Sequence, residues 1–256
     1  MMVEGIVKAV LPIEARRWMR RQQQRLKLWP RPGWVRFGSL RRVTPISRVF
    51  GFDRGLCIDR YYIESFLQYY DDDVRGLVLE IGEDTYARKF GGDRLTAIDV
   101  LHAVDGNPKA TIVDDLASAN NIESDRFDCI IATQTLQFIY DTRAAIKSLH
   151  RILKPGGVLL ATVPGISQVS RYDADRWGDY WRFTTQSAQR LFQEVFPSAA
   201  LTVKAHGNVM TAVGFLHGLA VEDMGRKELD HADRDYELLI TVRAQKPEVN
   251  HEDSRH

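Results

Sequence analysis

The order of strand and helix signals predicts an α/β protein: a Rossmann-like, mostly parallel seven-stranded sheet with helices on both faces, an antiparallel last strand and a basic N-terminal extension. Three observations carry this expectation. Phe127 to Ala132 is nearly all apolar, as a strand covered on both faces must be. Val78-Leu79-Glu80-Ile81 is a short apolar run closed by Gly82. Helical stripes such as Ile146, Leu149 and Leu153 fill the intervals between such runs.

In chain order, residues 1–49 form the extension, 50–246 the domain and 247–256 a polar tail. The extension holds 12 Lys or Arg against Glu4 and Glu14, is punctuated by Pro12, Pro30, Pro32 and Pro45, and has one weak helical stretch, Ala15 to Leu28. Ile58 to Tyr70 reads as a helix through Ile63, Phe66, Leu67 and Tyr70, ended by Asp71-Asp72-Asp73. Arg75 to Ile81 is the first strand, Leu95 to Ile98 the second (closed by Asp99), Ala110 to Val113 the third and Phe127 to Ala132 the fourth. Asp141 is placed to cap a helix from Thr142 to Leu153, which Pro155-Gly156-Gly157 stops. Val158 to Val163 is the fifth strand and Thr184 to Phe196 a helix; strands at Ala200 to Ala205 and Glu237 to Ala244 flank a helix at Val209 to Val221.

Composition narrows the function. With 256 residues, 44% hydrophobic and 27% charged, the chain suffices for one large core, and its net charge of +1 argues against a dedicated nucleic-acid protein. Cys57 and Cys129 are too few for a disulfide framework or a metal cage, and no histidine or carboxylate spacing suggests a metal. No secretory signal or membrane-length apolar run is present, so a cytoplasmic setting is expected. The basic arm is expected to be solvated, or to make weak contact with an anionic membrane surface.

In a parallel sheet, ligands sit at the carboxyl ends of the strands. Gly82 follows strand one, where only glycine lets a ligand approach the backbone closely. Asp99 ends strand two, where a carboxylate can accept from a ribose diol and would reject a 2′-phosphate. Asp114 and Asp115 end strand three; Thr133, Gln134 and Thr135 follow strand four. The Val-Leu-Glu-Ile-Gly start, the Phe127-Asp128-Cys129-Ile130-Ile131 strand, the Leu153-Lys154-Pro155-Gly156-Gly157 turn and the strand ending Val163-Pro164, in that order, resemble the class I S-adenosylmethionine-dependent methyltransferases, and most of all the broad bacterial group acting on small molecules, lipids or sugars. That resemblance implies S-adenosylmethionine as cofactor, with Glu80 and Gly82 near its methionine part, Asp99 on the ribose, Asp115 at the adenine and Gln134 beside the cofactor. It makes Lys154 to Gly157 a structural turn.

One departure stands out. The family loop runs Gly-x-Gly-x-Gly, whereas this one reads Gly82-Glu83-Asp84-Thr85-Tyr86. A dinucleotide fold also needs loop glycines, and it brings a pyrophosphate that the acidic loop would repel. A sulfonium with an ammonium group is compatible with Glu80, Glu83 and Asp84. A nicotinamide enzyme, which further lacks a Tyr-x-x-x-Lys pair here, therefore ranks below a methyltransferase.

Two segments are candidates for the acceptor. Arg171 to Phe183, rich in aromatic and charged groups, suits either a lid, with Arg176 and Tyr180 as substrate contacts, or a rim that packs its aromatics on the sheet edge, with Trp181 and Phe183 as core. Phe50 to Tyr62 precedes strand one; it reads either as an N-terminal cap held by an Asp-Arg pair or as a segment folded over the site, with Arg54 and Tyr61 as the other candidate contacts. Any general base is expected among Asp173, Asp175, Asp179 and His206, while His102 reads as local packing. The resulting expectation is methyl transfer to a small polar acceptor, such as a saccharide or lipid-linked sugar hydroxyl. The alternative is a non-catalytic scaffold of the same fold with a degenerate cofactor loop. A plug of Tyr86 or Phe90 in the cleft would favour that alternative.

Overall fold

A computed structural model of the protein describes residues 12–248, apart from 28 and 32. The expected tail therefore lies, from residue 249 on, outside the described residues, as does the start of the extension. The chain divides into two compact units, Met1–Thr44 and Pro45–His256. In the first, α1 spans Ile13–Lys27. Trp18, Trp29, Trp34, Phe37 and Val43 of this unit are exposed.

The second unit contains, in order, α2 (Ile58–Tyr69), β1 (Gly76–Ile81), α3 (Thr85–Gly91), β2 (Leu95–His102), β3 (Ile112–Val113), β4 (Phe127–Thr133), α4 (Thr142–Ile152), β5 (Leu153–Pro164), α5 (Arg171–Ala174), α6 (Thr185–Gln193), β6 (Leu201–His206), α7 (Val209–Leu216), α8 (Arg226–Asp230) and β7 (Leu239–Gln245). The seven strands run in the order β3-β2-β1-β4-β5-β7-β6. β1 lies parallel to β2 and β4, and β4 to β5, while β7 is antiparallel to both β5 and β6. This is the expected doubly wound sheet with an antiparallel last strand. Two rightward and leftward windings meet at β1 and β4, where the strand order reverses and a crevice opens.

Alternate residues of the central strands feed two cores. Leu79 and Ile130 point to the face covered by α4 and α6, where Ile146, Leu149 and Phe192 pack. Val78, Cys129 and Ile131 point to the opposite face, against Ile63, Phe66 and Leu67 of α2 and Phe90 of α3. Burial on both faces explains why β4 carries no polar alternation. Asp141 caps α4 by accepting from the Ala144 amide at 2.9 Å. Helix α4 ends at Ile152, and Pro155-Gly156-Gly157, expected as the turn that stops it, lie inside β5, which begins at Leu153 with no separate loop.

The second strand differs from expectation. It does not close at Asp99 but runs three residues further, because Leu101 and His102 pair with Ile112 and Val113 while Ile81 pairs with Leu101. A charged residue inside a strand is tolerated here because it is paired. Asp99 accepts from Thr111 Oγ1 at 2.8 Å and from Arg126 at 2.7 Å. Helix α3 had no sequence signal, since the same residues read as a loop. Trp181, expected in the core, is part-exposed and donates its indole N–H to the Ile139 and Tyr140 carbonyls at 3.2 Å; Phe183 is buried as expected.

Candidate functional site

A cleft runs across the carboxyl ends of β1, β2 and β4. It has two hollows of about 640 and 680 Å³ with Ile81, Gly82, Thr133, Gln134, Phe138 and Asp173 as their common wall. Each is within the size range of small-molecule sites. The first hollow adds Leu101, His102, Asp114, Asp115 and Leu116 from the ends of β2 and β3. The second adds the segment before β1, including Phe50, Asp59 and Arg60, and the lid residues Gln168, Asp179 and Arg182.

Backbone conformation shapes the floor. Gly82 has φ +89, and a Cβ built on it would meet nothing within 4 Å, so the space beside it is the cleft itself. Its N–H extends the ladder to the Leu101 carbonyl at 2.9 Å. Asn107 Nδ2 donates to the Gly82 carbonyl at 2.7 Å and so holds the turn from outside. Gln134 adopts φ +49 directly after β4, with its N–H donated to the Thr162 carbonyl at 3.0 Å. Such a conformation is uncommon for a non-glycine residue and concentrates at functional positions.

Glu80 works from inside the wall. Its carboxylate accepts from the Tyr86 and Ala87 amides at 3.1 and 2.7 Å and so satisfies the first turn of α3. Burial pushes its pKa up to about 7 against these two amide hydrogen bonds. The loop acids are neutralised from the other side: Asp84 pairs with Arg88 and, at 3.1 Å, with Lys109, which also reaches Glu83 at 3.4 Å. The glycine-poor loop is therefore held by an acid-base network in place of close backbone turns. Tyr86 lines the rim of the second hollow, Phe90 lies in the core, and neither fills the cleft.

The sequence-predicted residues separate into two groups. Glu80, Gly82, Gln134, Asp115, Asp173, Asp179, Arg176 and Tyr180 all line the cleft. Asp115 turns its carboxylate onto the Ala117 amide at 2.9 Å. Asp173 lies between the hollows and accepts from Ser170 Oγ at 2.6 Å. The side chain of Asp179 is only 2% exposed. Burial opposes its ionisation, yet hydrogen bonds from Arg182 and the Ser170 amide hold it below the usual carboxylate range. The guanidinium of Arg176 lies over the Tyr172 ring, 3.6 Å from its centroid. The Tyr180 and Tyr140 rings stand edge to face at 5.3 Å.

Five others fall elsewhere. Asp99 is absent from the cleft lining, and its carboxylate is taken by Thr111 and Arg126; His102 holds the strand-end position instead, with its ring 5.5 Å from that of Trp177. Arg54 is tied to Asp223 by two hydrogen bonds at 2.9 and 2.6 Å. Tyr61 donates to Asp230, and His206 lies 3.0 Å from Thr241 Oγ1; both line a separate groove of about 440 Å³ beside α2 and the edge strand. Burial, helped by Lys204, lowers His206 to about 4. Asp175 is exposed, 4.0 Å from Arg171. Reading from sequence missed His102, Asn107, Asp59, Arg60 and Gln137. Only the Asp-Arg pair at 59–60 carried a signal, as adjacent charges in the first turn of a helix. Among the described residues no group of three or more His, Cys, Asp or Glu could hold a metal ion, and no helix is long and apolar enough to cross a membrane.

A parallel sheet of this strand order, with a reversed last strand and a ligand-sized cleft over β1 and β4, defines the class I methyltransferase fold. The chain belongs to the methyltransferase domain family, whose model matches residues 58–209. Among solved structures, Haemonchus contortus phosphoethanolamine N-methyltransferase 2 in complex with S-adenosyl-L-methionine superposes with a TM-score of 0.51 at 14% identity, covering 73% of this chain and 53% of that one. The present chain thus spans about half the length of that enzyme. N-methyltransferase NodS from Bradyrhizobium japonicum, in complex with S-adenosyl-L-homocysteine, gives 0.48 at 17% identity, covering 82% and 97% of the two chains. No curated protein matches the chain.

Proposed function

We propose that the protein transfers a methyl group from S-adenosylmethionine to a small polar acceptor, with a saccharide or lipid-linked sugar as the acceptor scaffold. The open space beside Gly82, between two hollows of unlike lining, is the observation that carries this reading. The residues present fit the cofactor. Asp114, Asp115 and His102 border the hollow suited to a nucleoside, and Glu80 presents an acidic group where a sulfonium and an ammonium are favoured. A pyrophosphate in the same place would meet repulsion, which argues against a nicotinamide.

Bound there, the cofactor supplies a methyl group already activated by its sulfonium. The chain's own contribution is then positioning and exclusion of water. The lid from Ser167 to Arg182 closes over the second hollow and is held by the Asp179–Arg182 pair. Asp173, on the wall common to both hollows, is the member of the four base candidates best placed to take a proton from an acceptor hydroxyl. Asp179 is committed to Arg182, while Asp175 and His206 line neither hollow. The two cysteines are free and buried, in keeping with a cytoplasmic setting. The exposed tryptophans and basic residues of α1 and its neighbours support weak contact with an anionic membrane surface; sedimentation with phosphatidylserine vesicles but not with neutral ones is the expected behaviour.

The reading is tested by incubating the protein with S-adenosylmethionine and a panel of sugars and sugar lipids. Products heavier by one methylene are expected, and their loss in Asp173→Asn at unchanged cofactor affinity would assign the base. A protein that binds no cofactor is the scaffold of the alternative reading.

A further inference from the structure

Two side chains that line the second hollow each carry a buried oxygen with no donor. Asp59, in the first turn of α2, is 8% exposed, and its Oδ1 accepts no hydrogen bond. Gln137, in the turn after β4, is 4% exposed, and its Oε1 is likewise without a partner. The amide of Gln137 is not free to turn over, because its Nε2 donates to the carbonyl and side-chain oxygens of Gln134 at 2.9 and 3.1 Å. Buried acceptors are nearly always satisfied in folded proteins, so two lining the same hollow point to a ligand that supplies the missing donors.

The surroundings specify the donor. Phe50, Phe52 and Phe215 line this hollow, and aromatic faces attract cations. Of its two guanidinium groups, Arg182 is spent on Asp179 and the Gln168 carbonyl, and Arg60, next to Asp59 in α2, gives its Oδ1 no hydrogen bond. A hydroxyl brings one hydrogen and no charge. An ammonium brings three hydrogens and a positive charge, and a buried carboxylate without a donor is stabilised by both.

We propose that the acceptor carries a primary amine, held in its ammonium form by Asp59 Oδ1 and Gln137 Oε1 on the cap side of the cleft. This rests on the methyl-transfer reading above and sharpens it, since an amino sugar satisfies both. Burial raises the pKa of Asp59 despite the neighbouring Arg60, so arrival of a cation favours its ionised form.

The test uses the full chain saturated with S-adenosylhomocysteine, titrated in a calorimeter with matched probes: glucosamine against glucose, and ethanolamine against ethylene glycol. The amine of each pair is expected to bind at least about tenfold more tightly. Asp59→Asn and Gln137→Met are each expected to abolish that preference, Asp59→Asn while leaving S-adenosylhomocysteine affinity unchanged. Should Asp59→Asn fail to fold, Gln137→Met decides alone. Equal binding within each pair, with S-adenosylhomocysteine bound normally, overturns the proposal by itself. So does a loss of S-adenosylhomocysteine affinity in Asp59→Asn with methylthioadenosine affinity intact, because Asp59 would then serve the cofactor's own ammonium. A wild-type chain that binds no S-adenosylhomocysteine would overturn the methyl-transfer reading itself.

Discussion

The two walls of the cleft are made in different ways. The strand-end wall takes its form from the main chain: Gly82 at φ +89, Gln134 at φ +49, and the ladder that carries β2 on to His102. The cap-and-lid wall, contributed by residues 50–60 and 167–182, takes its form from side chains, notably the buried Asp179–Arg182 pair and the unpaired Asp59. The sheet has to form if the core is to be buried, so the strand-end wall comes with the fold. Nothing in the core demands the lid, so its charges are free to be selected for a ligand. Changes to the first wall should therefore act on the cofactor, and changes to the second on the acceptor.

The sharpest break is Gly82→Val. A β-branched residue at this φ is strained by about 1–2 kcal/mol, and its side chain enters the space beside the turn. S-adenosylhomocysteine affinity is expected to fall by more than about 100-fold in calorimetry. A change within about threefold would mean that the ligand does not lie against this wall.

Asp179→Ala is the counterpart on the lid. It leaves Arg182 without its charge partner in a largely buried site, and a stability loss of about 3 kcal/mol is expected in urea unfolding. Turnover should drop while affinity for S-adenosylhomocysteine holds; an equal loss of both would erase the distinction between the walls.

A smaller effect separates two neighbours on β2. His102→Ala should weaken S-adenosylhomocysteine by roughly tenfold, whereas Asp99→Ala should spare it and cost about 1 kcal/mol of stability through the lost Arg126 and Thr111 contacts. The reverse pattern would return the ribose role to Asp99.

The smallest is a pH slope. Burial holds Glu80 at about 7, above its ordinary 4.5, so between those values the folded chain keeps a proton that the unfolded chain has lost. Stability from this group therefore falls as pH rises from about 4.5 to about 7 and is level above. Glu80→Gln should flatten that part of the profile in thermal unfolding.

The same contrast governs what could be read from the sequence. The strands, their order and the strand-end turn at Gly82 were legible because burial on two faces and the demand for glycine at positive φ leave marks in the residue pattern. Gln134 was found by position alone. Asp99 misled because an acidic residue after four strand-like residues reads as a strand end, and only the pairing of Leu101 and His102 with β3 shows the strand continuing. Helix α3 was hidden because its N-terminal amides are satisfied by Glu80, from a different element, and no local cap announces it. Gln137 left no trace at all. A lone glutamine in a turn gains meaning only when its amide is seen fixed by Gln134 and its oxygen left without a donor. Arg54 and Tyr61 looked like cleft residues for the opposite reason: Asp223 and Asp230, which claim them, lie far away along the chain.

The most direct examination of the central claim is a calorimetric titration of the intact chain with S-adenosylhomocysteine. One molecule bound per chain, displaced by S-adenosylmethionine and abolished in Gly82→Val, is the predicted result. Absence of heat up to roughly millimolar ligand, from a chain that unfolds cooperatively, would contradict it.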